Sequence, residues 1–578
     1  MQFKHLLLYI LNLRTDLLSI EANKSILIVN LCMKYLIKSV GLLSLLLSSN
    51  LAFSQISFNK SSILFNATNE ISKDSSSITI KNIGTEPISI DTLIFFKTLK
   101  SNAFTTKFSS TSLNANDSVE IKIYFAPKHN IFHNSEVLIV TNPSAYSVSI
   151  DLKGQGKYSK TYYNLTENKS EDDLKAALKS IVTAGYVSLG YNSARDKMFM
   201  EFDNQSVNGQ GASVNTLECV YTGRKTVGYT SRTDAQSTTD PSKNFNTEHT
   251  FPQGFFSQNE PMRSDLHHLF PTDNSANNSR GSYPFGIATT PYKNDAINFP
   301  SHLGSNNLYE PRDAQKGRTA RAMMYFVIRY LDYADHFAPQ ESILRTWHTQ
   351  FPPNAVDLKR NDDIASVQKN RNPFVDYPQF DERITKIIGT STTAIVPSIY
   401  KLDSIQLFSL NDTTDSVIIY VPIVNTGNKR VVLSNGISTN DLVKFNFDTL
   451  GINISESALM PLTIHTKDTS GIFEANIQFN TDFSLVQYNF NLRFVVDKVA
   501  VGQSSTKKTD LKVYPNPFNN YLFVQSANKD SYQIFNSLSQ IVSTGEINSG
   551  INKIDIENLE KGVYYLRTSN STHKIFKQ

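Results

Sequence analysis

Hydrophobic and polar residues alternate along two separate segments of the chain, at about 56–157 and about 396–500. Runs such as 119–125 and 488–494 place an apolar side chain at nearly every second position. Because successive side chains of a strand point to opposite faces, this period of two predicts half-buried strands. Asn, Asp, Gly and Pro residues between the runs predict turns. We therefore predict a β-sandwich in each segment.

The two alternating segments share a local pattern. Each contains a strand, an Asn-x-Gly turn and a second strand, in IKNIGTEPISI at 80–90 and IVNTGNKRVVL at 423–433. Both resemble immunoglobulin-like accessory modules, and the sequence leaves their ligands open.

Between these segments, at about 161–390, the apolar spacing changes to that of helices. After Ser170 the apolar residues recur every three or four positions, and Asp173 is placed like the acid of a capping box. A longer helix has one apolar stripe, made by Ala320, Met323, Met324, Val327, Ile328 and Leu331. This segment predicts an α+β domain with its own core.

The first 55 residues have the features of a secretory signal peptide. A positive flank at Met33–Lys38 precedes an apolar run at Val40–Leu47, and small residues follow. The apolar run is too short to favour a membrane span. We interpret Met33 as the translation start, with an N-terminal anchor as the alternative. No later run is long and apolar enough to cross a bilayer, so signal removal leaves no stable membrane span.

Composition excludes several classes of site. The net charge of +4 is mild for 578 residues, so bulk charge does not indicate a nucleic-acid partner. Of the two cysteines, Cys32 and Cys219, only one survives signal removal, which excludes a disulfide framework and a Cys-based zinc site. The chain shows no phosphate-loop or dinucleotide signature, which disfavours ATP and NAD chemistry.

The stretch from Glu248 to Gly286 holds the densest set of chemically active side chains. It contains three of the 11 histidines, together with two Glu, two Asp and two Arg. A purely structural strand segment would instead show alternating apolar residues. We therefore predict the active site here.

The motifs of this stretch resemble those of the bacterial endonuclease I family, secreted or periplasmic nucleases with a ββα-metal (His-Me finger) site. The matching motifs are Glu248-His249, SDLHHLFP at 264–271 and NNSRG at 277–281. Further matches follow in family order, at Glu310-Pro311, 316–322, Trp347-His348, 360–362, Gln368 and 370–376. The resemblance covers about 161–385. It is specific because all of these motifs occur together and in family order.

The resemblance implies a base and a metal site. A phosphodiester resists attack, so its hydrolysis needs an activated water and neutralisation of the phosphate charge. His249 matches the base of the family. Glu248 and Asn277 match the ligands of a divalent ion, which we expect to be Mg²⁺, with Mn²⁺ or Ca²⁺ as alternatives.

Three further residues complete the predicted catalytic set. Arg263 and Arg280 are candidates for phosphate contact through a planar guanidinium. The plainer interpretation is that both are ordinary surface arginines. His267 is the candidate supporting partner, preferred to its neighbour His268. Neighbouring side chains on a regular strand point apart, so a site that shares Glu248 and His249 requires the backbone to turn after them.

The tail at about 510–578 opens with Val513–Phe518 and closes with Gly562–Arg567 before a basic end. It resembles the C-terminal sorting domain of the type IX secretion route, and a plain third β-domain is the alternative. This resemblance implies the type IX machinery as a partner and a secreted or cell-surface location.

The predicted fold is multidomain, with a central α+β ββα-metal nuclease domain, flanking all-β immunoglobulin-like sandwiches and a small C-terminal β-sandwich. The resemblance implies a secreted, metal-dependent, largely sequence-nonspecific endonuclease for DNA, with RNA as a further substrate. The alternative is a secreted adhesin or binding protein with an inactive nuclease-like domain. The intact Glu248, His249 and Asn277 favour the enzyme.

Overall fold

The structure is a computed structural model. It describes residues 55–96, 102–289, 301–330, 334–411, 415–498, 511–536, 540–569 and 571–577. The signal peptide and the Met33 start lie outside the described residues, as do Cys32 and Leu331. Among the helices that are described, none has both the length and the hydropathy needed to cross a membrane. The chain divides into two compact units between Lys498 and Val499.

The N-terminal β segment consists of two sheets around one apolar core. Its strands are β1 (Ile56–Phe58), β2 (Ser62–Asn69), β3 (Asp74–Asn82), β4 (Ile88–Phe95), β5 (Phe104–Thr106), β6 (Thr111–Leu113), β7 (Ser118–Phe125), β8 (Phe132–Asn142) and β9 (Val148–Lys157). One sheet has the order β1-β3-β7-β5 and the other β2-β9-β8-β4-β6. Buried residues of both sheets, including Ile80, Ile121 and Ile150, form a single cluster, as the alternating pattern requires.

Among the described residues, the α-helices lie in the central segment. They are α1 (Glu171–Thr183), α2 (Tyr191–Lys197, followed by a π-helical turn at Met198–Phe202), α3 (Arg232–Ala235), α4 (Asn274–Arg280), α5 (Asp313–Tyr330), α6 (Ala334–Phe337), α7 (Glu341–Gln350), α8 (Ala355–Gln368) and α9 (Pro373–Asp376). Its strands are β10 (Thr216–Glu218), β11 (Lys225–Val227), β12 (Phe245–His249), β13 (Leu269–Asp273), β14 (His302–Leu303) and β15 (Tyr309–Glu310). They pair as three two-stranded sheets, β10-β11, β12-β13 and β14-β15.

Helix α5 is the centre of this segment. The apolar stripe predicted one buried face, but every residue from Thr319 to Arg329 is buried. Helices α1 and α7 contact α5, as does the 3-10 turn at Leu266–His268. Residues 319–329 of the helix are therefore covered on all sides, and three of their polar side chains, Arg321, Tyr325 and Arg329, form buried hydrogen bonds or ion pairs.

Helix α1 begins after Ser170, as predicted, but the capping box does not form. The Ser170 side chain accepts no hydrogen bond from the first turn, and Asp173 is exposed. Glu171 has a left-handed φ of 54°, which takes Ser170 out of capping geometry. The Glu171 carboxylate instead accepts hydrogen bonds from the Thr385 backbone N–H at 2.7 Å and the Thr385 hydroxyl at 2.8 Å.

The second β segment has the same topology as the first. Its strands are β16 (Ile399–Tyr400), β17 (Ser404–Asn411), β18 (Ser416–Asn425), β19 (Val431–Ser438), β20 (Val443–Phe445), β21 (Thr449–Ile452), β22 (Ser457–His465), β23 (Gly471–Thr481) and β24 (Ser484–Asp497). The sheet orders are β16-β18-β22-β20 and β17-β24-β23-β19-β21, strand for strand those of β1–β9. In both segments the first strand of the five-stranded sheet pairs in parallel with the last.

The C-terminal unit is also all-β. Its strands are β25 (Lys512–Tyr514), β26 (Tyr521–Ser526), β27 (Asp530–Phe535), β28 (Ile541–Ile547), β29 (Gly550–Asp555), β30 (Gly562–Thr568) and β31 (Thr572–Lys577). They form the sheets β25-β26-β29 and β28-β27-β30-β31 around a small core that includes Leu522, Ile534 and Leu566. The predicted order of secondary structure, a helical central segment between all-β regions, is confirmed for the described residues.

Candidate active site

Strand β12 and helix α4 carry four of the six predicted site residues, and strand β13 joins these two elements. Strand β12 pairs with β13 in antiparallel register, with Glu248 opposite Phe270 and His249 opposite Leu269. Strand β13 leads directly into α4, whose N-terminus is capped by Asp273 through a 2.9 Å hydrogen bond from the Ser275 backbone N–H. Helix α4 contacts both strands. Glu248, His249 and Asn277 thus lie in one local substructure.

Glu248 is a buried carboxylate, 2% exposed, with two polar partners. The Tyr221 hydroxyl donates to Oε1 at 2.7 Å, and Nε of Arg280 lies 3.3 Å from the same oxygen. Burial raises the pKa of Glu248, and the Arg280 charge and the Tyr221 hydrogen bond oppose that rise. The two partners thus favour the ionised form that a metal ion needs.

Asn277 projects from α4 towards β12. Its Nδ2 donates to the carbonyl of Thr247 at 3.5 Å, one residue before Glu248. This hydrogen bond uses the amide nitrogen and leaves the amide oxygen as a potential ligand. The described residues hold no cluster of three or more His, Cys, Asp or Glu groups that could hold a metal ion. One carboxylate and one amide oxygen, completed by water, fit Mg²⁺, which prefers oxygen ligands and keeps several waters.

His249 is the last residue of strand β12, and it is buried, 6% exposed. Its Nε2 lies 3.2 Å from the carbonyl of Arg263. A carbonyl only accepts, so Nε2 carries the proton and Nδ1 carries the lone pair of the neutral ring. Burial lowers the pKa of His249 well below its usual range, and the charges of His268, Arg263 and Arg195 act in the same direction. The neutral ring that results is the form a general base requires.

The side chains of Glu248 and His249 have different neighbours. Glu248 contacts Tyr221 and Arg280, whereas the His249 ring lies 5.6 Å from the rings of Tyr191 and His268. In the part of the chain that the structure describes, no hydrogen bond joins the two side chains. Strand pairing continues one residue past His249, because the backbone N–H of Thr250 donates a hydrogen bond to the His268 carbonyl at 3.0 Å.

Arg280 does not have the environment predicted for a phosphate contact. It is 1% exposed, and its terminal nitrogens donate to the carbonyls of Gly281 at 2.8 Å and Thr250 at 2.6 Å. Its guanidinium also stacks over Phe285, 4.6 Å from the ring centroid. A buried guanidinium with these partners braces Glu248 and the end of β12, and it is not exposed to a phosphate in solution.

Arg263 is half-buried and is placed differently. Its guanidinium carbon lies 4.1 Å from the ring centroid of Tyr191, and its backbone carbonyl is the one that holds His249. Arg195 lies at the same 4.1 Å from that ring. Arg195 and Tyr191 belong to α2, more than 50 residues before His249, and no motif in the sequence marked either of them.

His268, and not the predicted His267, is the histidine beside His249. The two neighbours point to opposite sides of the 3-10 turn at Leu266–His268. His267 lies 3.2 Å from the Asn370 carbonyl and against Tyr325, and burial lowers its pKa to about 4. His268 lies 2.7 Å from the Met262 carbonyl, on the side of the turn that faces the candidate base.

Asp265 holds this turn in place from inside the domain. Its Oδ2 accepts hydrogen bonds from the hydroxyls of Tyr325 at 2.8 Å and Tyr330 at 3.0 Å, and Nη1 of Arg329 lies 3.3 Å away. Its Oδ1 accepts from Nε2 of Gln368 at 3.1 Å. The downstream motif residue Gln368 therefore supports the fold beneath the site and takes no direct part in it.

Comparisons with known proteins give matches for the segment that carries these residues and for the C-terminal unit. Residues 170–379 match the model of the family described as endonuclease I, and residues 512–578 match that of the secretion system C-terminal sorting domain. An extracellular ribonuclease of Bacillus subtilis (strain 168) is 28% identical over 242 residues, which are 39% of this chain and 78% of the relative. An extracellular deoxyribonuclease of Aeromonas hydrophila is 28% identical over 116 residues, 20% of this chain and 50% of the relative.

The sorting domain marks a secreted or cell-surface protein that is a client of the type IX machinery. The central match marks a nuclease, an enzyme that hydrolyses phosphodiester bonds. Residues 170–379 therefore match the endonuclease I family, on a chain whose residues 512–578 match a type IX sorting domain.

Proposed function

We propose that this protein is a secreted, metal-dependent and largely sequence-nonspecific endonuclease that cleaves DNA and RNA. The observation that carries the proposal is the hydrogen bond of His249 Nε2 to the Arg263 carbonyl, which leaves Nδ1 as the unprotonated nitrogen at the end of β12. Relatives named as a ribonuclease and as a deoxyribonuclease support both substrates.

His249 is the proposed general base. Nδ1 takes a proton from the attacking water, and the Arg263 carbonyl holds Nε2–H so that the ring keeps its orientation. A base placed in this way contributes roughly 10²–10⁴-fold to the rate. The lowered pKa keeps the ring neutral at physiological pH.

Glu248 and Asn277 are the proposed metal ligands. A bound Mg²⁺, or Mn²⁺ or Ca²⁺ in its place, would neutralise charge on the phosphate and stabilise the leaving oxygen. Tyr221 and Arg280 both act on Oε1 of Glu248, and thereby orient the carboxylate. We assign Arg280 this positioning role and Arg263 the phosphate contact.

The arrangement of β12, β13 and α4 supports the ββα-metal assignment, with the base on the strand side and Asn277 on the helix. The paired four- and five-stranded sheets support the immunoglobulin-like assignment of both β segments. The proposed domains keep the boundaries 56–157, 161–390, 396–500 and 510–578.

A cleavage assay on the purified secreted chain tests the function. Supercoiled plasmid and a folded RNA are incubated with Mg²⁺, then with EDTA, then with Mg²⁺ restored. We expect nicking and RNA cleavage that EDTA abolishes and restored Mg²⁺ recovers. His249→Ala is the matched control against a contaminating nuclease. Absence of cleavage with Mg²⁺, Mn²⁺ and Ca²⁺ would favour a binding protein with an inactive nuclease domain.

A further inference from the structure

Two arginines meet on one tyrosine ring beside the candidate base. The guanidinium carbons of Arg195 and Arg263 each lie 4.1 Å from the ring centroid of Tyr191. That ring lies 5.6 Å from the His249 ring at an interplanar angle of 30°. We call Tyr191, Arg195 and Arg263 the arginine cluster. Cation–π contact with the ring holds both guanidinium groups in place.

The arginine cluster lacks the acidic partners that neighbouring arginines have. Arg232 pairs with Asp196 at 2.7 Å, and Arg360 pairs with Asp203 at 2.8 Å. Within the described residues, neither arginine of the cluster forms an ion pair with a carboxylate. Within the part of the chain that is described, the Arg195 side chain donates one hydrogen bond, to Oδ1 of Asn192 at 2.8 Å.

Each of the two arginines also has a buried nitrogen without a hydrogen-bond partner among the described residues. These atoms are Nε of Arg195 and Nε of Arg263. Burial lowers the pKa of Arg195, and the charges of Arg232 and Arg263 act in the same direction, whereas Tyr191 and Asp196 oppose the change. Two adjacent cations that form no ion pair with a carboxylate repel each other, so anionic groups bound to them would be stabilised.

We infer that the arginine cluster binds two successive phosphates of the substrate strand, with Arg263 on the scissile phosphate and Arg195 on its neighbour. The inference rests on the proposed function and adds Arg195 as a substrate contact. Arg263 is assigned the scissile phosphate because its own carbonyl holds the base. Guanidinium groups match phosphate oxygens in a two-pronged geometry, which a surface lysine does not. Tyr191 is a positioning residue, since it holds both guanidinium groups.

Salt dependence of binding separates this role from a structural one. The affinity of a labelled DNA duplex is measured by fluorescence anisotropy from low to moderate NaCl, with His249→Ala in every protein so that nothing is cleaved. Arg195→Gln is expected to weaken binding roughly 10-fold, as for a lost hydrogen bond to a charged group. It should also lower the slope of log affinity against log salt by about 0.9, the value for one phosphate contact.

Two matched variants control the experiment. Arg195→Lys keeps the charge and should keep most of the salt slope while weakening binding through the lost planar contact. Arg232→Gln removes a nearby arginine that is already paired with Asp196 and should change neither slope nor affinity. Unfolding midpoints of all variants establish that they are folded.

The outcomes distinguish the two proposals. A reduced slope for Arg195→Gln, with wild-type behaviour of Arg232→Gln, supports the arginine cluster. An unchanged slope and affinity for Arg195→Gln overturns it, even if the wild-type enzyme cleaves DNA. If the wild-type enzyme cuts no substrate while Arg195→Gln still lowers the slope, the cluster is a phosphate site and the proposed function is wrong. In the active background, the expected defect of Arg195→Gln is a higher KM with a smaller change in kcat.

Discussion

Glu248 and His249 are neighbours that burial affects in opposite ways. For His249, removal from water favours the neutral ring, which is the form that accepts a proton. For Glu248, removal from water favours the protonated acid, which is a poor metal ligand. Glu248 therefore requires Tyr221 and Arg280, whereas His249 requires only a carbonyl to fix its tautomer.

Glu136 is a second buried carboxyl, outside the active site. It contacts Ser149 on its own sheet and accepts a hydrogen bond at 3.1 Å from the backbone N–H of Ser457 in the second β segment. Asp151, which pairs with Lys153, also faces it. Burial, together with the hydrogen bond to Asp151, raises the pKa of Glu136 to about 8.

This raised pKa predicts that stability falls as the pH rises from acid to mildly alkaline values. Between about pH 4.5 and 8 the folded state holds a proton on Glu136 that the unfolded chain releases. Stability should therefore fall as the pH rises through this window. We expect the unfolding midpoint of the wild type to drop between pH 6 and 8.5, and Glu136→Gln to lose much of that dependence. The midpoints are measured by thermal unfolding monitored by circular dichroism. If the midpoints of both proteins depended equally on pH, Glu136 would titrate normally.

At the scale of elements, the duplicated β segments contain the same turn. Asn82 donates to the carbonyls of Glu86 and Leu113 at 2.8 and 3.0 Å, and its Oδ1 accepts from the Gly84 N–H at 2.9 Å. Asn425 makes the equivalent three hydrogen bonds, to Lys429, Ile452 and Gly427, at 2.7, 3.2 and 2.9 Å. The Asn-x-Gly pattern of the sequence thus marks a side chain that ties two strands together from a buried position.

Loss of this asparagine should destabilise either β segment. Asn82→Ala and Asn425→Ala each leave buried backbone groups without partners, at a cost of about 1–3 kcal/mol. Chemical denaturation of the full chain checks this, with the transition of the affected segment moving to lower denaturant. Asn59→Ala is the control, because its hydrogen bonds to Thr79 are exposed. If Asn82→Ala behaved like Asn59→Ala, the buried turn would not be a stabilising element.

The alternating period and the turn residues were sufficient to predict the strands of the β segments, since both are local properties. The helical stripe on α5 predicted the helix but not that it is buried all round, because the covering elements come from distant parts of the chain. For the same reason, the sequence could not predict that Tyr221 and Arg195 lie at the site, since both come from outside the stretch 248–286. Local spacing also could not show which of His267 and His268 faces His249.

At the scale of the whole molecule, the N-terminal β segment packs against the nuclease segment. Glu70 accepts hydrogen bonds from the Ser159 backbone N–H at 2.8 Å and the Tyr377 hydroxyl at 2.9 Å. The Tyr158 ring stacks on Tyr377 with centroids 3.8 Å apart. His129 is buried, and its Nε2 lies 3.2 Å from a carboxylate oxygen of Glu382. Because every motif of the active site lies within 170–379, we expect this contact to support stability and not chemistry.

A single substitution at this contact tests that division. Glu70→Ala should destabilise the nuclease by about 2 kcal/mol, which lowers its unfolding midpoint by roughly 4–8 °C. Well below the midpoint, kcat/KM for plasmid cleavage should match the wild type. Glu86→Ala, at an exposed carboxylate of the same β segment, should change neither quantity. A loss of activity in folded Glu70→Ala at low temperature would mean that the β segment shapes the active site.

The most direct test of the central claim is a Mg²⁺ titration of plasmid cleavage by His249→Ala, Glu248→Ala and Asn277→Ala. The two ligand variants should need more Mg²⁺ and recover part of their rate at high concentrations, because their defect is in metal binding. His249→Ala should keep the wild-type Mg²⁺ requirement and lose roughly 10²–10⁴-fold in rate at every concentration, because its defect is in proton transfer. Full recovery of His249→Ala by excess metal would make His249 a ligand and contradict the account.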